Sequence, residues 1–221
     1  MFSPQEIVQF KRICYSFGIN LSQEMIDKFE TYTDLLLEWN QRIHLVSKKD
    51  ATSDRILRHF VDSLSIFKVI DLPNDTYLLD VGAGAGFPSI PIEIVRKDIH
   101  LTLVESVRKK TFFLQKLSEV LKLQKISILN QRAEKLTAQA DFEERFDLVT
   151  ARALGNLEDV ARLSMPFLRT GGLLVAYKGK GVKKDIEEID GLNDCRIQDV
   201  VQIAIREMDL LRCLVMIEKV K

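Results

Sequence analysis

From Tyr77 onward, short apolar segments alternate with stretches of helical periodicity, and this alternation limits the possible folds more than any other feature of the chain. The apolar segments read YLLDV, LTLVE, KISIL, FDLVTA and GGLLVAY. Helices are predicted after them, in order, near 88–96, 107–121, in a short segment after KISIL, 156–168 and 182–189. Parallel strands need crossover connections of about this length. The pattern therefore predicts an α/β fold with a doubly wound parallel sheet.

The last two apolar segments of the chain break this alternation. RIQDVVQIAI and LRCLVMIEKV are separated by only a few polar residues, which is too short for a crossover helix. Two strands joined so closely pair antiparallel. We expect a C-terminal antiparallel hairpin at one edge of the sheet, which brings the predicted total to seven strands.

The first 70 or so residues are predicted to be helical. One helix begins at Pro4 and stops at Gly18, and Ser22 is placed to cap a longer second helix. A third helix carries apolar residues between Ile56 and Phe67, and Pro73 marks a boundary. We therefore expect residues 1–72 to form an N-terminal helical cap and residues 73–221 to form the α/β domain.

A glycine-rich loop follows the first predicted strand and reads DVGAGAGFP from Asp80. In open α/β sheets, the ligand crevice lies beyond the carboxyl ends of the strands, where this loop is expected. Counted from Gly82, the sixth position is Phe87 rather than the glycine of a dinucleotide fingerprint. The loop also lacks the Lys-Ser/Thr ending of a phosphate-binding P-loop.

An acidic residue ahead of G-x-G-x-G instead resembles motif I of the class I S-adenosylmethionine-dependent methyltransferases, which have a Rossmann-like fold. Glu105 ends the second strand, where a carboxylate can accept hydrogen bonds from a ribose diol, or it can cap the following helix. The terminal hairpin is also typical of this superfamily. The resemblance implies S-adenosyl-L-methionine as the cofactor of domain 73–221, held by Asp80, Gly82, Gly84, Gly86 and Glu105.

The fourth strand, which usually carries the chemistry in this fold, reads FDLVTARA and includes Arg152. It contains no Asp/Asn-Pro-Pro-aromatic box for an exocyclic amine and no cysteine for a covalent adduct. Guanine N7 fits as acceptor because it has a free lone pair and no proton to remove. Transfer then needs mainly alignment of the reactants, which can lower the activation barrier by about 7–11 kcal/mol. Arg152 would then contact guanine O6 or a phosphate, or form only a salt bridge.

Taken together, DVGAGAGFPSIP, VESVRKKTFFLQ, NQRAEKL, FDLVTARAL, GGLLVAYKG and the upstream LRHFVDSL resemble the bacterial RsmG (GidB) family in order and spacing. The resemblance covers roughly residues 35–220. It implies a methyltransferase that uses S-adenosylmethionine to make N7-methylguanine in the 530 loop of 16S ribosomal RNA, within the small ribosomal subunit.

The same resemblance implies roles for single residues. Gly82 and Phe87 would line the methionine and sulfonium region, Ala133 and Glu134 would border the adenosine, and Arg152 would lie at the acceptor side. The upstream Arg58, His59 and Asp62 would close over the site; His59 would contact a flipped guanine or serve as an ordinary interior histidine. One departure is His44-Leu-Val46, where the family usually has Asn-Leu-Thr.

The charge of the chain is balanced, with 32 Lys and Arg against 32 Asp and Glu. A zero balance argues against a non-specific nucleic-acid coat, but local basic clusters remain. They are Arg42, Lys48, Lys49, Arg55 and Arg58; Arg108, Lys109 and Lys110; and Lys178, Lys180, Lys183 and Lys184. Although such runs are often only solvated faces, convergence on one rim would suit RNA phosphates, and we assign Lys178 and Lys180 to the substrate.

The remaining features predict a soluble, cytoplasmic monomer. There is no apolar run of membrane-spanning length and no signal peptide, and no cluster indicates a metal. Cys14, Cys195 and Cys213 lack the spacing of a disulfide framework or zinc site and are expected to be buried. Trp39, Phe112 and Phe113 are expected to pack in the core.

Three other functions stay open at this point. A ribose 2′-O-methyltransferase usually needs a lysine–aspartate–lysine–glutamate set, of which Lys178 and Glu218 could supply two members. A small-molecule methyltransferase would need no basic rim. A non-catalytic RNA-binding assembly factor would keep the cofactor fold without turnover.

Overall fold

The computed structural model describes residues 1–153, 155–179, 182, 186, 189 and 192–221. Its α-helices are α1 (Pro4–Tyr15), α2 (Gln23–Asn40), α3 (Ser53–Leu64), α4 (Ser89–Val95), α5 (Arg108–Leu121) and α6 (Leu157–Ser164). Its strands are β1 (Tyr77–Val81), β2 (His100–Val104), β3 (Ile126–Leu129), β4 (Phe146–Arg152), β5 (Leu168–Lys178), β6 (Cys195–Ile205) and β7 (Leu210–Lys219).

The seven strands form one sheet in the order β3-β2-β1-β4-β5-β7-β6. Strands β1 to β5 run parallel to one another, and β7 runs antiparallel to both β5 and β6. This arrangement confirms the predicted seven-stranded α/β fold and its terminal hairpin. The order reverses between β1 and β4, so the crevice for a ligand opens at the carboxyl ends of these strands.

Two of the predicted helices differ from the structure. After β3 the chain forms only 3-10 turns, at Ala133–Lys135 and Ala140–Phe142, because most of this polar segment offers no apolar stripe to bury. The predicted helix 156–168 ends at Ser164, since Pro166 has no N–H for a further helical hydrogen bond. Most of the predicted helix 182–189 lies outside the described residues.

The helix starts of the N-terminal segment follow from local capping chemistry. Ser3 and Glu6 form a reciprocal capping box at α1, and the Ser22 side chain accepts a hydrogen bond from the Met25 N–H at α2. Gly18, with φ of +80°, lies in the turn between the two helices, where a residue without Cβ avoids strain. The predicted starts at Pro4 and Ser22 are therefore confirmed.

Helices α1 to α3 share a hydrophobic core with one face of the sheet, and α6 packs in a second core on the opposite face. Two buried tyrosines tie the N-terminal helices to the rest. The Tyr32 hydroxyl donates to the Ala85 carbonyl at 2.5 Å, and the Tyr177 hydroxyl donates to the Ser63 carbonyl at 2.8 Å. The division into domains 1–72 and 73–221 stays a prediction, while these contacts fix the cap against the glycine loop.

The expected burial of single side chains is confirmed in part. Cys14, Cys195 and Cys213 are buried with free thiols. Phe113 is fully buried and Trp39 is partly buried, but Phe112 is 47% exposed, so the expectation that it packs in the core is wrong. Phe113, Leu114, Leu117 and Leu121 form the buried side of α5, and at about 100° per residue Phe112 lies on the opposite side of the helix. Among the described helices, none is long and apolar enough to cross a membrane.

Candidate functional site

Two adjacent cavities open at the carboxyl ends of β1 and β2. The larger has a volume of about 420 Å³ and the smaller about 140 Å³. Gly82 and Ser106 line both, so the cavities form one continuous crevice over the glycine loop. The larger is lined by Leu45, Val46, Ser47, Asp50, His59, Gly82, Ala83, Gly84, Ala85, Phe87, Glu105, Ser106, Lys110, Arg152 and Ala153.

The glycines of the loop differ in the space around them. A Cβ on Gly84 would meet only the Gly82 carbonyl, at 3.7 Å, so the backbone here is open to the larger cavity. A Cβ on Gly86 would lie 2.7 Å from both Ile90 Cδ1 and Tyr32 Oη. Gly84 therefore leaves room for a ligand and Gly82 lines both cavities, whereas Gly86 lets the loop pack against α4 and α2 and does not line either cavity.

Glu105 holds the glycine loop against the end of β2. Its Oε2 accepts from the Gly84 N–H at 2.9 Å, and its Oε1 accepts from the Val107 N–H at 2.7 Å. The side chain is only 6% exposed but lines the larger cavity. An ionised carboxylate can accept about four hydrogen bonds, so capacity for a diol remains.

Asp80 lies beneath the loop and does not line either cavity. It is 1% exposed, and neither carboxylate oxygen has a hydrogen bond of ordinary length and angle. Burial raises the pKa of Asp80 to about 7, although Ser89, Arg152 and Thr150 lower it in part. A buried carboxylate under the crevice favours a cationic ligand above it.

Arg152, at the end of β4, is the most constrained side chain of the site. Its Nη2 lies 2.5 Å from His59 Nδ1 and 3.2 Å from Asp62 Oδ2, and its guanidinium lies 5.4 Å from the centroid of the Phe87 ring. Nη1 is buried and has no hydrogen-bond partner among the described residues. The hydrogen-bonding capacity of Nη1 is therefore unused, although the atom itself is buried.

Asp62 and Arg212 support Arg152 from behind. Asp62 is 1% exposed and accepts from Arg212 Nε and Nη2, both at 2.7 Å, in addition to its contact with Arg152. Asp62 was expected to close over the site, but it lies behind Arg152 and does not line the cavity. Arg58, also expected to close over the site, donates to the Asp209 carbonyl in the β6–β7 turn and does not line the cavity.

His59 is held in its neutral form. Burial, reinforced by the positive charge of Arg152, lowers the pKa of His59 to about 4. Because Nδ1 accepts from Arg152, the proton of the neutral ring lies on Nε2. The ring also packs 5.1 Å from Phe87, so His59 is at once an interior contact and part of the cavity wall.

Comparison with known proteins identifies the family. Residues 25–210 match the family described as GidB, rRNA small subunit methyltransferase G. The chain belongs to this family. A Ribosomal RNA small subunit methyltransferase G from Caldanaerobacter subterraneus subsp. tengcongensis is 37% identical over 93% of this chain and 86% of its own length. The protein of the same name from Bacillus subtilis is 39% identical over 76% of this chain and 70% of its own.

Solved structures agree on the fold. A mutant of MtNAS superposes with a TM-score of 0.60 at 14% identity, covering 97% of this chain and 87% of that one. M. jannaschii TYW2 in complex with AdoMet gives a TM-score of 0.58 at 14% identity, covering 81% and 80%. The predicted Rossmann-like fold of class I methyltransferases is thereby confirmed for this GidB-family chain.

Several residues that line the crevice of this GidB-family chain were not predicted from the sequence. Ala133 and Glu134 line the smaller cavity as expected, but so do Gln131 and Arg132, and Ser47 and Asp50 line the larger one. Position in the chain was the available signal for Gln131 and Arg132, which come shortly after β3, whereas Ser47 and Asp50 lie in the connection between α2 and α3. Arg212 carried a different signal, namely an arginine within a mostly apolar strand.

The predicted basic clusters meet at the crevice only in part. Lys110 lines the larger cavity, and residues 45–47 and 50 bring the cluster around Lys48 and Lys49 beside it. Lys178 donates to the Gly155 carbonyl at 2.8 Å, while Lys180, Lys183 and Lys184 lie outside the described residues. His44 is exposed, and Val46 lines the cavity. In the described part of the chain, no group of three His, Cys, Asp or Glu side chains is arranged to hold a metal ion.

Proposed function

We propose that this chain transfers a methyl group from S-adenosyl-L-methionine to N7 of a guanine in the 530 loop of 16S ribosomal RNA, in the small ribosomal subunit. Membership of the small-subunit rRNA methyltransferase G family supports the reaction class and the RNA. The arrangement around Arg152 supports the acceptor. We further propose that the enzyme acts as a monomer in the cytoplasm, where its free thiols remain reduced.

The crevice has the chemistry that the cofactor requires. S-adenosylmethionine would supply a methyl group activated by a sulfonium cation. The buried Asp80 carboxylate favours positive charge above the loop, and the open space at Gly84, beside the cavity-lining Gly82, leaves room for the methionine portion. Glu105 has lone pairs for the ribose hydroxyls, and Ala133 and Glu134 border the smaller cavity for the adenine. These residues fit the group.

The observation that carries the choice of acceptor is the Arg152, His59 and Asp62 cluster beside the loop. N7 attack needs no proton removal, and the side chains here are poorly suited to remove one. Nδ1 of His59, the ring nitrogen without a proton, already accepts from Arg152. The Arg152 guanidinium lines the larger cavity, where it can hold guanine O6 while the N7 lone pair points at the methyl group.

Ribose 2′-O-methylation fits the sheet poorly. In the β5–β7 register, Lys178 lies opposite Cys213, whereas Glu218 lies opposite Leu173. Five residues of strand separate the two positions, which corresponds to about 16 Å. Glu218 also pairs with Arg196 at 2.8 Å. The lysine and glutamate therefore cannot act on one hydroxyl.

The test is transfer of label from S-adenosylmethionine to small subunits isolated without this modification, followed by nucleoside mass spectrometry of the digested RNA. We expect 7-methylguanosine mapped to the 530 loop, at more than one turnover per enzyme. A different labelled nucleoside would refute the acceptor. Cofactor binding without transfer to RNA would favour a small-molecule acceptor or a non-catalytic assembly role.

A further inference from the structure

A second concave surface lies next to the crevice, between the end of α2 and the exposed side of α5. It encloses about 550 Å³, and we call it the α2–α5 groove. Trp39 and Phe112 form its aromatic part, and Arg42 and Lys109 contribute exposed cations. The other lining side chains are Ile43, Gln115, Glu38 and the Lys116–Glu119 ion pair.

The aromatic residues of this groove are only partly used by the fold. Trp39 packs on the buried Phe113 with ring centroids 5.8 Å apart, and it also lines the groove. Phe112 is 47% exposed, and the Arg108 guanidinium lies 5.3 Å from the centroid of its ring. Aromatic rings and guanidinium groups beside lysines are the combination on which single-stranded nucleic acids stack their bases and place their phosphates.

Two chain segments contribute residues both to the groove and to the methyl-transfer crevice. Arg42 and Ile43 line the groove, and Leu45 and Val46 line the larger cavity. On α5, Lys109 lines the groove and the next residue, Lys110, lines the cavity. The groove therefore lies near enough to the crevice for a nucleotide next to an inserted target base to reach it.

We propose that the α2–α5 groove binds a nucleotide that flanks the target guanine, with its base against Trp39 and Phe112 and its phosphate near Arg42 and Lys109. This inference rests on the proposed function, because it takes RNA as the substrate. The groove extends the RNA contact beyond the reacting base and anchors the strand after the target has left its stack.

Trp39 is the only tryptophan of the chain, so its fluorescence reports on this groove directly. The experiment titrates the full chain with a short single-stranded oligouridylate and, separately, with inorganic polyphosphate. We expect the RNA to quench Trp39 emission and polyphosphate to leave it unchanged. Phe112→Ala is expected to weaken RNA binding by about 5- to 150-fold, the effect of losing one base stack. Tyr15→Ala, which removes an exposed aromatic of α1, is the matched control and should bind as wild type.

Two further measurements separate this proposal from the proposed function. Arg42→Ala with Lys109→Ala should reduce the salt dependence of RNA binding by a slope of about 1 to 2. In the methyl-transfer assay, Phe112→Ala should raise KM for the small subunit and keep kcat. If wild type transfers no methyl group but Phe112→Ala still loses RNA affinity, the function fails and the groove assignment stands.

The groove assignment is overturned if RNA leaves Trp39 emission unchanged or if Phe112→Ala binds RNA as wild type does. Should that variant bind RNA normally but react slowly with assembled subunits, the groove contacts a ribosomal protein instead. Normal 7-methylguanosine formation together with unchanged RNA binding by Phe112→Ala would leave the function intact and refute the groove.

Discussion

Replacing Asp62 by asparagine tests the support of Arg152 from behind. The carboxylate is 1% exposed and is shared by Arg212, with two contacts at 2.7 Å, and Arg152 at 3.2 Å. Removing one partner of a buried ion pair costs about 3–5 kcal/mol, because the other charge stays buried without compensation. For a chain of this size, that loss lowers Tm by about 6–20 °C. Thermal and urea unfolding followed by circular dichroism measure both quantities.

The matched control is Glu158→Gln, which removes an exposed ion pair with Arg162 on α6. An exposed pair contributes about 1 kcal/mol or less, so this variant should unfold nearly as wild type. Adding Arg212→Met to Asp62→Asn should recover part of the lost stability, because one uncompensated charge disappears. Equal stability of Asp62→Asn and Glu158→Gln, or a further loss in the double variant, would refute the reasoning.

Three other predictions concern the loop and the rim of the crevice. Burial raises the pKa of Asp80 from 3.8 to about 7, so between these pH values the native state binds one more proton than the unfolded state, and the free energy of unfolding falls as the pH rises. Relative to wild type, Asp80→Asn should therefore gain up to about 4 kcal/mol of unfolding free energy between pH 4 and pH 8. A difference in urea unfolding that does not change with pH would contradict this. Gly86→Ala should lower the free energy of unfolding by about 2–5 kcal/mol, because φ is positive and the new Cβ would lie 2.7 Å from two side chains. Gly18→Ala, where φ is positive but the surrounding space is open, should lower it by about 1–2 kcal/mol. Similar losses for the two variants in urea unfolding would contradict the packing argument. Lys178→Met should slow methyl transfer to small subunits by less than tenfold. Complete loss of transfer would instead favour the ribose 2′-O-methyltransferase hypothesis, in which a lysine helps to deprotonate the hydroxyl.

The sheet could be predicted from the sequence because its signals are local. Five apolar segments with helical spacing between them specify parallel strands, and the short connection before Leu210 specifies an antiparallel hairpin. The segment after β3 was harder to predict. It is mostly polar and has only Ala133 and Leu136 buried, so it forms 3-10 turns rather than a helix. Local periodicity carries no information where so little apolar surface is buried.

The site was predictable where its residues follow strand ends, as at Gly82, Glu105 and Arg152. It was less predictable where long-range pairing decides. Asp62 and Arg212 are 150 positions apart in the chain and meet only because α3 packs against the inserted strand β7. Likewise, adjacent Phe112 and Phe113 have the same side chain and opposite environments, which only the packing of α5 on α2 determines.

The charges around the loop explain why the crevice needs two buried carboxylates with different partners. On the proposed function, a sulfonium cation would lie close to the Arg152 guanidinium, and two cations repel each other. Asp62 is shared between Arg152 and Arg212, so that cluster keeps one net positive charge. Asp80 has no such partner, and a cation above the loop would lower its pKa below about 7 and so fix its negative charge. On the proposed function, we therefore expect Asp62 to position the arginine and Asp80 to balance the charge of the cofactor.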